Sequence, residues 1–261
     1  MSLADIHQQD YRDCIQIVKK RTQKKILKDH PIRFARLLAG AIKESSCFTD
    51  FRDRVNKPSD SRLRNAHDFF GWMAKASPKR EPRGECRGAI YRSEAYMKIP
   101  LAQRIGKRRP ITECSVHIEH TIPCNEIDKI LWAQRNSLLV DLENKSLPEL
   151  LHNLYLKLSV CTALTKKEEK DCIGSEFKKT HPAFLEGELV DFTDLGKVKP
   201  FERYNFKEGL KIFNVLTCSE IDPRRWTLDD HHRTLSSQDI YRWEFLDMSL
   251  IGLLENNIEC S

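Results

Sequence analysis

Residues 111–120, ITECSVHIEH, alternate in a chain most of whose other regular stretches repeat their apolar residues every three or four positions. Cys114, Val116 and Ile118 fall on one side, and Ser115, His117 and Glu119 on the other. A period of two is the signature of a half-buried strand. Pro123 closes it, because proline cannot donate to a sheet ladder. A second strand signal, LKIFNVLT, follows at residues 210–217, and a short β-branched run precedes Thr165. The expected fold class is therefore α+β, mostly helical around a small strand-bearing core.

Helical periodicity covers much of the remainder. Residues 8–28 set Ile15, Val18, Ile26 and Leu27 among lysines and arginines, a basic amphipathic helix. Pro31 suits the first turn of a second helix, residues 31–45, whose Ile32, Ala35, Leu38, Ala41 and Ile42 form one apolar stripe. Further helices are predicted over residues 60–76, 125–142, 149–158 and 236–255, while 173–209 read as irregular. Thr165 and Glu168 have the spacing of a capping box, which starts a helix directly after the β-branched run. Asn214 and the pair His231–His232 read as turn and loop residues. Three regions follow: a helical, basic region over 1–109, a core over 110–235 and a C-terminal helix over 236–261.

Charge is uneven along the chain. Of 44 Lys and Arg against 38 Asp and Glu, residues 79–109 hold ten bases and three acids, a net of +7, and the other 230 residues sum to −1. Tyr91 and Tyr96 lie inside that segment. Clustered cations interleaved with aromatics are the footprint of a polyanion contact, cations displacing counterions from phosphates and rings stacking on bases. Arg83, Arg87, Lys107, Arg108 and Arg109 are the candidate phosphate contacts, and the same run also reads as a solvated loop. No stretch has the roughly 20 apolar residues of a membrane span, and the first residues, MSLADIHQQDY, lack the basic-then-apolar order of an export signal. The nine cysteines contain no C-x-x-C pair, so they read as reduced, mostly buried thiols of a cytoplasmic protein and not as a structural zinc site.

Glu119 and His120 close the alternating strand. Neighbours on a strand point to opposite sides, so the two can flank one object. If that object is a phosphate with a divalent cation, the carboxylate suits the hard metal and the imidazole, with a pKa near neutrality, can take a proton from the attacking water. Phosphodiester hydrolysis needs both an activated nucleophile and a cation to neutralise the phosphate. Each residue also has a structural reading: His120 bonded to backbone, Glu119 paired with a nearby cation, Glu169 solvated on a helix. His117, on the Glu119 side, is a partner or extra ligand if it is not simply a surface residue.

VHIEHTIP resembles the first half of the HNH, or ββα-metal, nuclease motif: an acid-His pair ending the first strand, then an apolar residue and a proline. The second half in that family is a strand running into a helix that presents the remaining ligand. SVCTALTKKEEKD is similar to it, with Glu169 at the ligand position, and IFNVLTCSEID offers Asp222 as the alternative. The resemblance implies a metal-dependent DNA endonuclease of restriction type. In it Glu119 and Glu169 hold one Mg²⁺, for which Mn²⁺ can substitute, and His120 is the general base. Its partner is DNA, and dimers are common among restriction-type enzymes. The chain departs from the pattern in the long stretch between Pro123 and Leu164 and in a carboxylate where the family has His or Asn. A non-catalytic nucleic-acid-binding protein is the rival reading, and a regulatory helical protein that binds other proteins a second.

Overall fold

The structure, a computed structural model, describes residues 3–22, 37–56, 88–104, 115–144, 157–173, 180–184, 195–204 and 210–238. It is an α+β protein built on one mixed sheet of five strands. In chain order the principal elements are α1 (Leu3–Thr22), α2 (Phe48–Asn56), β1 (Tyr91–Ser93), α3 (Glu94–Lys98), β2 (Val116–His120), α4 (Cys124–Ala133) and α5 (Arg135–Asn144). They continue with β3 (Cys161–Thr165), α6 (Lys166–Cys172), β4 (Ile212–Asn214), β5 (Ser219–Ile221) and α7 (Leu228–Ser236). The sheet order is β2-β3-β1-β4-β5. β1 runs parallel to β3 and antiparallel to β4, so residues 91–93 sit at the centre of the sheet.

β2 and β3 form an antiparallel pair from Val116 opposite Thr165 to His120 opposite Cys161. The chain enters α6 directly from β3, which makes a strand-strand-helix unit with α4 and α5 inserted between its strands. Opposed residues of an antiparallel pair share a face. Thus His117 and Glu119 share one face with Leu164 and Thr162, while Val116, Ile118 and His120 share the other with Thr165, Ala163 and Cys161. A large apolar cluster holds Leu164, Tyr91 and Ile212 against Ile122, Ile127, Leu131, Phe201 and Leu228. A smaller one packs Val116, Ala163 and Phe213 against Ala89, Tyr96 and Met97.

The middle of the basic segment is core. Tyr91 and Tyr96 are fully buried, and so are Arg92 and Arg104. Arg104 donates to both carboxylate oxygens of Asp10, at 2.8 and 2.9 Å, and Arg92 pairs with the same carboxylate. Arg104 also stacks on the Tyr96 ring, 4.4 Å from its centroid. Neither tyrosine is available to stack on bases: Tyr96 lies under the two cations that an acid of α1 draws inward, and Tyr91 packs against Phe201 and Trp226 in the main core. Tyr91 instead accepts from Trp226 Nε1 at 2.9 Å and shares a hydrogen bond with His231 Nδ1 at 2.9 Å.

Several elements differ from the sequence reading. The expected single helix over 125–142 breaks at Gln134, where Arg135 folds back, stacking on the Trp132 ring and donating to the Trp132 carbonyl at 3.1 Å. His231 and His232, read as loop, lie on α7, whose start is a reciprocal cap between Thr227 and Asp230. The expected strand over 210–217 is shorter, as the Asn214 side chain accepts from the Leu216 amide at 2.9 Å and turns the chain into β5. Residues 37–44 are helical, as the apolar stripe requires. The helix over 60–76 lies outside the described residues, as do most of those over 149–158 and 236–255. Among the described residues no helix is long and apolar enough to cross a membrane.

Candidate metal centre

β2 delivers two of the site's side chains by its period of two, His117 and Glu119, to one face at the edge of the sheet. The third arrives on α6. Thr165 caps that helix as its spacing requires: its hydroxyl accepts from the Glu168 amide at 3.1 Å, and the Glu168 carboxylate accepts from the Thr165 amide at 2.9 Å. Ser93 of β1 also donates to Glu168, at 2.6 Å, and the Lys166 amide donates to the Ser115 carbonyl at 3.0 Å. The start of α6 is thereby fastened to both β1 and the chain leading into β2. Residues three apart on a helix lie side by side, and Lys166 Nζ donates to Glu169 Oε2 at 2.7 Å.

His117 Nε2 lies 3.2 Å from Glu119 Oε2 and 3.4 Å from Glu169 Oε1. Lys166 Nζ is 3.0 Å from the other ring nitrogen, Nδ1. An ammonium only donates, so Nδ1 accepts from Lys166, and Nε2 is the ring nitrogen that faces the carboxylates. One ligand atom each from His117, Glu119 and Glu169 lies within 4.8 Å of the others, a separation that a single cation can span. Two carboxylates and an imidazole fit Mg²⁺ or Mn²⁺ in donor chemistry. All three side chains are partly exposed, which leaves a path for an ion and a ligand.

The second oxygen of Glu119 is occupied. Arg203 Nη2 donates to Glu119 Oε1 at 2.7 Å, and its Nη1 donates to the His120 carbonyl at 3.1 Å. Next to it, burial first and the negative charge of Glu119 second push the Tyr204 phenol pKa up, so its hydroxyl stays protonated within reach of Thr121 Oγ1, at 3.4 Å.

Of the residues singled out from sequence, Glu119 and Glu169 meet. Asp222 does not: it lies beyond β5, at the opposite edge of the sheet from β2, where it accepts from the Arg224 amide at 3.0 Å. His120 is buried on the face opposite Glu119, its Nδ1 3.6 Å from Cys161 Sγ. Arg83, Arg87, Lys107, Arg108 and Arg109 lie outside the described residues.

Comparisons with protein-family models, curated proteins and solved structures find no match. What the centre does must be read from its residues. Two carboxylates stand against one lysine and one arginine, a formal charge of zero that a bound divalent cation makes positive. Such a centre attracts an anion. Lys166 and Arg203 complete it, and neither was singled out from sequence. The i, i+3 spacing of Lys166 and Glu169 in the first turn after the Thr165 cap carried a signal for the first. Arg203 stands in a stretch without periodicity and carried none.

Proposed function

We propose that the protein is a divalent-metal-dependent DNA endonuclease with an HNH-like strand-strand-helix centre. The convergence of Glu119 from β2 and Glu169 from α6 on one imidazole carries this reading. Glu119 and Glu169 hold the Mg²⁺ or Mn²⁺ ion, and His117 completes the cluster between them. The ion supplies charge neutralisation at the scissile phosphate and the leaving oxygen. Lys166 keeps Glu169 turned toward His117 and adds positive charge beside the phosphate. His120, the general base its place in the motif implies, stands on the opposite face of β2, and taking the proton of the attacking water requires its ring to leave Cys161. Arg83, Arg87, Lys107, Arg108 and Arg109 hold the DNA backbone, which positions the duplex without reading its sequence.

One observation favours the non-catalytic reading. The two acids already have Lys166 and Arg203 as partners, so the cluster also satisfies itself as a closed ion network. Nicking of supercoiled plasmid with Mg²⁺ or Mn²⁺ separates the two. In the nuclease reading the protein cuts, His120→Ala abolishes cutting, and DNA binding persists and weakens steeply with salt. Intact plasmid with both metals, beside salt-sensitive DNA binding, means that the protein binds and does not cut.

A further inference from the structure

We propose that Arg203 is the positioning residue that sets the Glu119 carboxylate and the end of β2 for the cation, an inference that rests on the metal-centre reading above. The side chain is 1% exposed and reaches β2 from a turn more than eighty residues later in the chain. Its planar fork spans two consecutive residues, one arm on the side chain of Glu119 and the other on the main-chain oxygen of His120. A carboxylate at the rim of a sheet otherwise turns about its last torsion. With Oε1 engaged by Arg203, Oε2 is the oxygen left to face His117 and Glu169. The bond to His120 O fixes the peptide that carries both residues of the acid-His pair.

The turn that supplies Arg203 is itself tied to the other half of the centre. Phe201–Tyr204 closes on the Tyr204 amide, which donates to the Phe201 carbonyl at 2.9 Å. Tyr204 then bridges to Ile173, the residue that ends α6. Arg203 therefore fastens the strand bearing Glu119 to the helix bearing Glu169, and the spacing of the two carboxylates depends on it. Its Nε has no hydrogen-bond partner among the described residues. A buried donor left unmatched opposes stability, so holding Glu119 and His120 accounts for this arginine better than packing does. Lysine cannot replace it: an ammonium carries the charge but lacks the fixed fork that serves two acceptors in one plane.

The experiment compares Mn²⁺ affinity, by electron paramagnetic resonance of the free ion, in the full-length protein and in Arg203→Lys and Arg203→Ala. Circular dichroism and thermal melting restrict the comparison to folded protein. Removing the outer partner of a metal ligand costs about 10- to 100-fold in affinity. That loss is expected for Arg203→Ala, with a smaller loss for Arg203→Lys and partial recovery of the alanine variant on adding guanidinium at low millimolar concentration. A residue that is merely structural gives no recovery and loses affinity only together with the fold. Mn²⁺ affinity within twofold of the wild type in folded Arg203→Lys and Arg203→Ala overturns the role of Arg203 and leaves the metal centre standing. Absence of Mn²⁺ binding by the wild-type protein overturns the centre, and the role of Arg203 with it. If Arg203→Ala does not fold, Arg203→Lys alone decides.

Discussion

Arg104 holds Asp10 by both carboxylate oxygens, Nη1 on Oδ1 at 2.8 Å and Nη2 on Oδ2 at 2.9 Å, in the interior of the protein. Burial alone would raise the Asp10 pKa, but Arg92 and Arg104 override it and hold the carboxyl below its usual value of 3.8. Removing one member of a buried charge group strands the others without compensation, at a cost of about 3–5 kcal/mol. Asp10→Ala is expected to lose that much in urea unfolding, since it leaves two buried guanidiniums unmatched. A loss within the range of an ordinary surface substitution, about 0.5 kcal/mol, contradicts the network's structural role.

His181 makes stability depend on pH. The Ala183 amide donates to its Nδ1 at 3.2 Å, so its Nε2 carries the proton donated to the Pro200 carbonyl at 3.2 Å. Burial, with the neighbouring charge of Arg203, pushes its pKa down from 6.5 to about 4. Above 6.5 the ring is neutral in both the folded and unfolded states, and its contribution is fully present. As pH falls from 6.5 toward about 4, the unfolded chain takes up a proton that the folded protein refuses, and stability drops by up to about 3 kcal/mol. Unfolding free energies at pH 7.5 and 4.5 should fall more steeply for the wild type than for His181→Gln. Equal slopes would sink the assignment.

The cap of α6 links local structure to the site. Thr165→Ala removes the hydroxyl that receives the Glu168 amide, at an expected cost of about 1 kcal/mol. Because Glu169 rides on that first turn, the same variant should also weaken Mn²⁺ binding severalfold. Thr165→Ser keeps the hydroxyl and should preserve both properties. A weakened fold with unchanged Mn²⁺ affinity would show that Glu169 is placed independently of the cap.

Both acids of the centre were legible because each sits on a local pattern: Glu119 on an alternating strand, Glu169 one residue beyond a capping box. His117 was legible for the same reason as Glu119, from which it is two residues away. The basic segment misled at its centre. Charge counted along the chain cannot register that Arg92 and Arg104 are balanced by Asp10, 82 and 94 residues upstream, or that this pairing buries Tyr96 beneath them. Helix α7 was missed because two acids and two histidines after a proline resemble a polar loop, although Thr227 and Asp230 have capping-box spacing. Arg203 had no local pattern at all, as its role comes from a long-range return of the chain to β2.

The most direct test of the centre is the rate of plasmid nicking as Mn²⁺ is titrated, for the wild-type protein, Glu169→Gln and Asp222→Asn. Nicking that saturates with one ion, vanishes in Glu169→Gln and persists in Asp222→Asn is the predicted result. A folded wild-type protein that leaves the plasmid intact, or a Glu169→Gln variant that cuts as fast as the wild type, contradicts it.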